Sequence, residues 1–352
     1  HIVGTFGNAS IFKKDPQKIA AARSRSQLIL GVGSGEYFVA SDAAALVDYT
    51  KEIVYLNDNE FAIISPEGFE VYNLTKKLLE KKIDTINWDV EGAQKGGYAH
   101  FMKKEIFEQP ETLKNSLRGR LLGDGSVKLG GLFDVKEEFL SSKQIMIVAC
   151  GTSYYAGMLG KYYFEEMAKI PVFVERASEF RYRDPVIYPN TTAIFISQSG
   201  ETADTLHALR EAKRKGALTL GIVNVVGSTI AKEAGAGVYN HAGPEIGVAS
   251  TKAFLSQVAV LLLMALSFKN KNTEIVNELK ALPSKMEKIL LHDGEIEKLA
   301  KKYLKNTHFT YIGRKHQFPV ALEGALKLKE IAYRYAEGYA AGELKHGPLA
   351  LV

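Results

Sequence analysis

Twice in this chain an apolar run ends in small hydroxyl residues and glycine, then passes at once into helix-forming sequence. Ile145–Ala149 leads into Cys150-Gly151-Thr152-Ser153 and a helical pattern to about Met167. Thr192–Ile196 leads into Ser197-Gln198-Ser199-Gly200-Glu201-Thr202 and a helical pattern over 202–215. Short apolar runs bounded by such turns read as buried strands, and strand–helix alternation at this interval implies parallel strands. Val172–Val174 and Leu218–Val223 continue the strand pattern, and 228–235 the helical one. The expected fold class is α/β with a mainly parallel sheet.

Both loops have the chemistry to receive an anion. Ser197, Ser199 and Thr202 bring hydroxyl groups, Gly200 allows a tight turn, and a helix start offers free N–H groups and the positive end of its dipole. Plain helix capping by Ser199 or Thr202 stands beside phosphate binding on residue chemistry alone. Two such loops strengthen the phosphate reading, because parallel strands aim their C-terminal loops at one crevice. Gly31-Val32-Gly33-Ser34-Gly35 lacks the full dinucleotide spacing, and no Gly-Lys-Ser/Thr phosphate loop occurs. Cys150 reads as a small buried hydrophobe or, less readily, as a nucleophile near a helix start.

A second stretch carries acid–base candidates. Glu323, Lys327 and Glu330 lie four and three residues apart, on one face of a helix expected over Ala321–Arg334. A solvated ion-pair ladder and a buried proton relay with Glu330 as carrier are both open. His346, in Glu343-Leu344-Lys345-His346-Gly347-Pro348, is either a proton donor and acceptor or a structural loop residue. The eight histidines form no His-x-His or His-Glu-x-x-His pattern, so neither a metal nor a cofactor is expected.

The rest of the chain sets the frame. Leu28–Val32, Ile53–Leu56 and Phe61–Ser65 are strand-like, the turn Pro66-Glu67-Gly68 follows, and Phe69–Leu74 returns as a hairpin partner. A domain boundary is expected near residue 88. A helix is expected over 101–118, bent or split at Pro110, a buried helix over 251–268, and one or two amphipathic helices over 273–304. Phe309–Ile312 opens a new strand–loop–helix unit, and the apolar end at Leu349–Val352 is expected to be a cut edge.

The 352 residues carry a formal charge of +5 in mixed-sign stretches, which weakly favours anionic small molecules and gives little support to nucleic acid. One cysteine allows no internal disulfide, and the apolar run Val258–Leu266 is too short to span a bilayer. No membrane association is expected, and a cytoplasmic setting is.

At these residues the chain resembles the glutamine–fructose-6-phosphate aminotransferases. The resemblance rests on Cys150–Ser153, Ser197–Thr202, Glu245-Ile246-Gly247-Val248-Ala249-Ser250-Thr251-Lys252, Ala321–Glu330 and Glu343–Pro348, in family order, and extends over essentially the whole chain. It implies a doubly wound three-layer sandwich of the sugar isomerase (SIS) type, preceded by the C-terminal part of an α+β glutaminase domain of the N-terminal-nucleophile class. Residues 1–88 would be that part with its linker, 89–245 the first SIS domain, 246–289 inter-domain helices, and 290–352 the start of a second SIS domain.

The resemblance also implies roles. Ser197, Gln198, Ser199 and Thr202 would hold the phosphate of fructose 6-phosphate; Thr152, Ser153, Val248 and Ser250 would line the sugar. Glu330 would move a proton between C1 and C2, with Lys327 beside it, and His346 would help open the ring in the site of a neighbouring subunit. The product would be glucosamine 6-phosphate, glutamine the amino donor, and the assembly a homodimer. The glutaminase nucleophile and the family's Schiff-base lysine have no counterpart in this sequence. Trp88 would lie near the family's ammonia-channel gate. The alternative is a sugar-phosphate isomerase or sensor; a nucleotide-binding protein lacks its acidic ribose contact.

Overall fold

The structure, a computed structural model, describes residues 4, 6–24, 26, 28–41, 43–47, 49–85 and 95–351. It divides into two compact units, His1–Gly97 and Tyr98–Val352. The boundary expected near residue 88, and Trp88 itself, lie outside the described residues.

The first unit is built from antiparallel strands: β1 (Phe6–Phe12), β2 (Asp15–Ser24), β3 (Ile29–Val32), β4 (Tyr37–Ala40), β5 (Glu52–Tyr55), β6 (Glu60–Ser65), β7 (Gly68–Asn73), β8 (Leu78–Leu79) and β9 (Asp84–Thr85). One sheet has the order β1-β2-β6-β7-β8, the other β4-β3-β5-β9. Along β6, buried and half-buried residues alternate, and Ala62 and Ile64 join Leu30 and Val54 of the other sheet in one apolar cluster. The β6–β7 hairpin closes through Pro66-Glu67, with Ser65 opposite Gly68. No hydrophobic alternation announces β1 and most of β2. Their side chains are largely exposed, and backbone pairing rather than burial defines them.

The second unit runs α1 (Phe101–Leu117), α2 (Lys136–Leu140), β10 (Gln144–Ala149), α3 (Gly151–Met167), β11 (Val172–Arg176), α4 (Ala177–Phe180), β12 (Thr191–Ser197), α5 (Ala203–Arg214), β13 (Leu218–Val223), α6 (Thr229–Glu233), β14 (Ala236–Tyr239), α7 (Lys252–Leu266), α8 (Thr273–Leu290), α9 (Asp293–Lys302), β15 (His308–Gly313), α10 (Gln317–Ala332) and β16 (Tyr335–Ala340). Strands β10 to β14 form a parallel sheet of order β11-β10-β12-β13-β14. The order reverses between β10 and β12, so their C-terminal loops flank the switch point where such sheets open a crevice.

Side-chain alternation along these strands builds two cores. Ile145, Ile147, Ile194 and Ile196 point to one face, where Phe164 of α3 and Val260, Leu261 and Met264 of α7 cover them. Met146, Val148, Ala193 and Phe195 point to the other, under Phe180, Leu206, Leu209 and Ile230. This is the three-layer α/β arrangement. Both faces are covered, which is why the strands read as continuous apolar runs.

Helix α1 is continuous through Pro110. Proline has no N–H for the carbonyl of Ile106, and the side-chain amide of Gln109 donates to that oxygen instead at 3.0 Å. Strands β15 and β16 pair in parallel, with α10 packed against both.

Candidate active site

The turn after β12 is organised by its own hydroxyls. Ser197 Oγ accepts the N–H of Gly200 at 3.0 Å and lies 2.9 Å from Thr202 Oγ1. Ser199 Oγ accepts the N–H of Glu201 at 3.2 Å. Gly200 has φ +68°, and a Cβ there would come 2.1 Å from Ser228 Oγ, so this position requires glycine. Thr202 occupies the N-cap of α5, yet its side chain makes no cap hydrogen bond. The first turn of α5 therefore keeps free N–H groups beside two hydroxyls, and its one acidic residue, Asp204, is paired with Arg181 at 2.8 Å. Glu201 does not oppose an anion there: its carboxylate turns to the N-terminus of α6 and accepts from Thr229 N at 2.8 Å. The backbone carbonyl of Gln198 accepts the N–H of Asn224 at 3.1 Å, tying the turn to the end of β13.

One strand away, Ala149 of β10 sits in register with Ile196 of β12, which brings Cys150–Ser153 alongside that turn. Ser153 is buried and Thr152 half-buried. Burial pushes the Cys150 thiol up, and its sulfur sits 3.9 Å from Thr205 Oγ1, packed in the apolar core. Cys150 is thus a half-buried residue packed against the core, where burial works against its thiolate.

Helix α10 packs on α3 and delivers three charged side chains to the same loop. Lys327 Nζ donates to Thr152 Oγ1 at 3.0 Å, and Thr152 donates to Glu323 Oε1 at 3.0 Å. Lys327 Nζ lies 3.1 Å from Glu323 Oε1 and 2.7 Å from Glu330 Oε2. The Glu330 contact is one of charge alone, outside hydrogen-bond geometry, so its Oε2 has no hydrogen-bond donor among the described residues. Glu323 is 6% exposed, and burial pushes its carboxyl up from the ordinary range, against the opposing pull of Lys327 and Thr152. The three residues therefore form a partly buried cluster rather than a solvated ladder. Sequence spacing marked Glu323 as their neighbour; its burial and its bond to Thr152 depend on tertiary packing.

The loop before α7 supplies the remaining residues. Ser250 Oγ donates to Glu245 Oε2 at 2.8 Å, and Glu245 Oε1 accepts the N–H of Thr251 at 2.8 Å. Val248 is 89% exposed. Among the described residues, neither Val248 nor Ser250 hydrogen-bonds to the turn after β12. His346 is exposed, and its backbone N–H donates to Glu343 O at 3.0 Å. Among the described residues no group of three or more His, Cys, Asp or Glu side chains is arranged to hold a metal ion, and no helix is long and apolar enough to cross a membrane.

The chain is similar in sequence and fold to known proteins. The sequence profile of the SIS domain matches residues 138–267 and 302–352, just over half of the chain. The glutamine–fructose-6-phosphate aminotransferase [isomerizing] of Chlorobaculum tepidum is 48% identical over 360 residues, covering all of this chain and 59% of the relative. The protein of the same name from Caldanaerobacter subterraneus subsp. tengcongensis is 47% identical over 359 residues, again with 59% of the relative covered. This chain therefore spans 59% of the length of these two relatives. The solved C-terminal domain of glucosamine-fructose-6-phosphate aminotransferase from Francisella tularensis aligns with a TM-score of 0.69 at 44% identity, covering 74% of this chain and 75% of that one. The chain belongs to the SIS domain family, as a member of its glutamine–fructose-6-phosphate aminotransferase branch.

Proposed function

We propose that this chain carries the sugar-phosphate site of an enzyme that converts D-fructose 6-phosphate and glutamine to D-glucosamine 6-phosphate and glutamate. The observation that supports it most directly is the tie of the Glu330–Lys327 pair to Thr152 by the 3.0 Å bond from Lys327, next to the Ser197–Thr202 turn. A sugar with its phosphate on that turn would have its other end within reach of an acid–base group.

In this reading Ser197, Gln198, Ser199 and Thr202 hold the phosphate with the open end of α5. Thr152, Ser153, Val248 and Ser250 line the sugar. His346, exposed in this chain, helps open the ring in the site of a second copy, as a homodimer would allow. Ammonia released from glutamine displaces the C2 oxygen as water, giving an imine. Glu330 then takes a proton from C1 and returns one to C2, and the double bond moves to give the aldose. Lys327 holds the Glu330 carboxylate by charge. Residues 1–88 belong to the end of the glutaminase domain, 89–245 and 290–352 to two SIS regions, and 246–289 to the helices joining them. The setting is the cytoplasm, in keeping with the single cysteine.

The test, run in a chain of the relatives' full length that also carries the glutaminase nucleophile and the Schiff-base lysine, is product analysis with fructose 6-phosphate plus glutamine, and separately plus ammonia, together with solvent exchange of the C1 proton. Glucosamine 6-phosphate from either nitrogen source supports the reading. Exchange and aldose phosphate without any amino sugar would make the protein a sugar-phosphate isomerase instead.

A further inference from the structure

Outside the crevice, one buried carboxylate is committed to the loop that carries Val248 and Ser250. Glu105 projects from α1 and is 2% exposed. Its Oε1 accepts the backbone N–H groups of Ile246, at 2.6 Å, and Gly247, at 2.9 Å. Its Oε2 is buried without a hydrogen-bond partner among the described residues. A Cβ at Gly247 would stand 2.6 Å from that oxygen and 3.4 Å from the backbone of Met102, so a side chain there would push the Glu105 carboxylate from its place. The other end of the loop is gripped by Glu245, through Ser250 and Thr251. Lys252, whose charge acts on this carboxylate, is taken up by Glu108 at 2.6 Å.

An ionised carboxylate in such a place is costly, and apolar residues would fill the space at lower cost. What an apolar side chain cannot do is hold two adjacent N–H groups on one point. That bond fixes the backbone directly before Val248, whose side chain is left projecting and exposed.

We infer that Glu105 is a positioning residue: it sets the wall formed by Val248 and Ser250 against the sugar, without touching the substrate. This rests on the site reading proposed above. It concerns the sugar end alone, because the phosphate turn is organised independently by Ser197 and Gly200.

The test compares Glu105→Gln and Glu105→Ala with the unaltered protein, each in a chain of the relatives' full length. One readout is kcat and KM for fructose 6-phosphate, the second competitive inhibition by inorganic phosphate, the third hydrogen exchange at the Ile246 and Gly247 amides. Glu105→Ala is expected to raise KM about tenfold, with kcat and phosphate inhibition changed by less than about threefold. Protection at the two amides should fall with it. Glu105→Gln, which keeps one acceptor oxygen in the same shape, should recover most of the affinity. General loss of structure would lower kcat and weaken phosphate in step. Either that pattern, or an unchanged KM in Glu105→Ala, overturns the inference. If the unaltered protein takes no fructose 6-phosphate, the site reading fails, and unchanged protection in Glu105→Ala would separately overturn the anchoring of the loop.

Discussion

The Lys327 ammonium donates a 3.0 Å hydrogen bond to the Thr152 hydroxyl, 175 positions earlier in the chain. Thr152 in turn donates to Glu323, so its one proton and its acceptor side are both engaged with α10. The bond joins the helix bearing Glu330 to the loop at the sheet's switch point. The Glu330 carboxylate, paired with Lys327, is thereby tied through it to the turn that follows β10.

Glu330→Gln should leave fructose 6-phosphate binding within about twofold but lower isomerisation by about 10²–10⁴, the usual range for losing a positioned proton carrier. Exchange of the C1 proton with solvent, in a chain of the relatives' full length, is the measurement. Undiminished exchange would remove Glu330 from this role.

Ser199→Ala should weaken fructose 6-phosphate binding by about 1–2 kcal/mol, the scale of one hydrogen bond to a charged group. Unphosphorylated fructose should show no change. Calorimetry with both sugars checks this, and equal losses for the two would mean that the hydroxyl serves the turn alone.

At Gly200, where φ is +68° and a Cβ would stand 2.5 Å from the Ser228 Cβ, Gly200→Ala should lower stability by about 1–3 kcal/mol. Ser228→Gly added to it should restore only part, because the backbone conformation stays unfavourable. Urea unfolding of the single and double variants measures both contributions; full recovery would show that crowding alone was at work.

Glu323 predicts a pH dependence with a definite sign. Burial pushes its carboxyl up in the folded protein, with Lys327 and Thr152 opposing and Glu330 adding to the rise. The folded state therefore binds this proton more tightly than the unfolded chain, in which a glutamate titrates near about 4.3. The stabilisation is complete below that value and is lost as pH rises through the raised folded value. Glu323→Gln resembles the protonated form, so its stability relative to the unaltered protein should improve from acid to neutral pH. Urea titrations along that range test it, and a constant difference would count against the buried carboxyl as the cause.

Much of the fold was legible because its causes are local. Ile145–Ala149 and Thr192–Ile196 are continuous apolar runs because helices cover both faces of their sheet, and the structure has strands at Gln144–Ala149 and Thr191–Ser197. The Pro66-Glu67 turn and its hairpin were equally plain. Strands β1 and β2 were not, since exposed strands leave no burial pattern to read. Helix α1 passes through Pro110 unbroken because a neighbouring side chain, Gln109, satisfies the orphaned carbonyl, a rescue that propensity does not express.

The candidate site divides along the same line. Order along the chain was enough to determine the strand–turn–helix units, the hydroxyls at Ser197, Ser199 and Thr202, and the common helical face of Glu323, Lys327 and Glu330, because each depends on contacts within a few residues. Only the tertiary structure decided that this face is buried against Thr152 rather than solvated, that Glu201 turns away to α6, and that Glu105 reaches the loop at Ile246 from 141 residues away. Such contacts depend on how packed layers bring distant segments together, and desolvation, which separates a surface ion pair from a buried relay, exists only once those layers have closed.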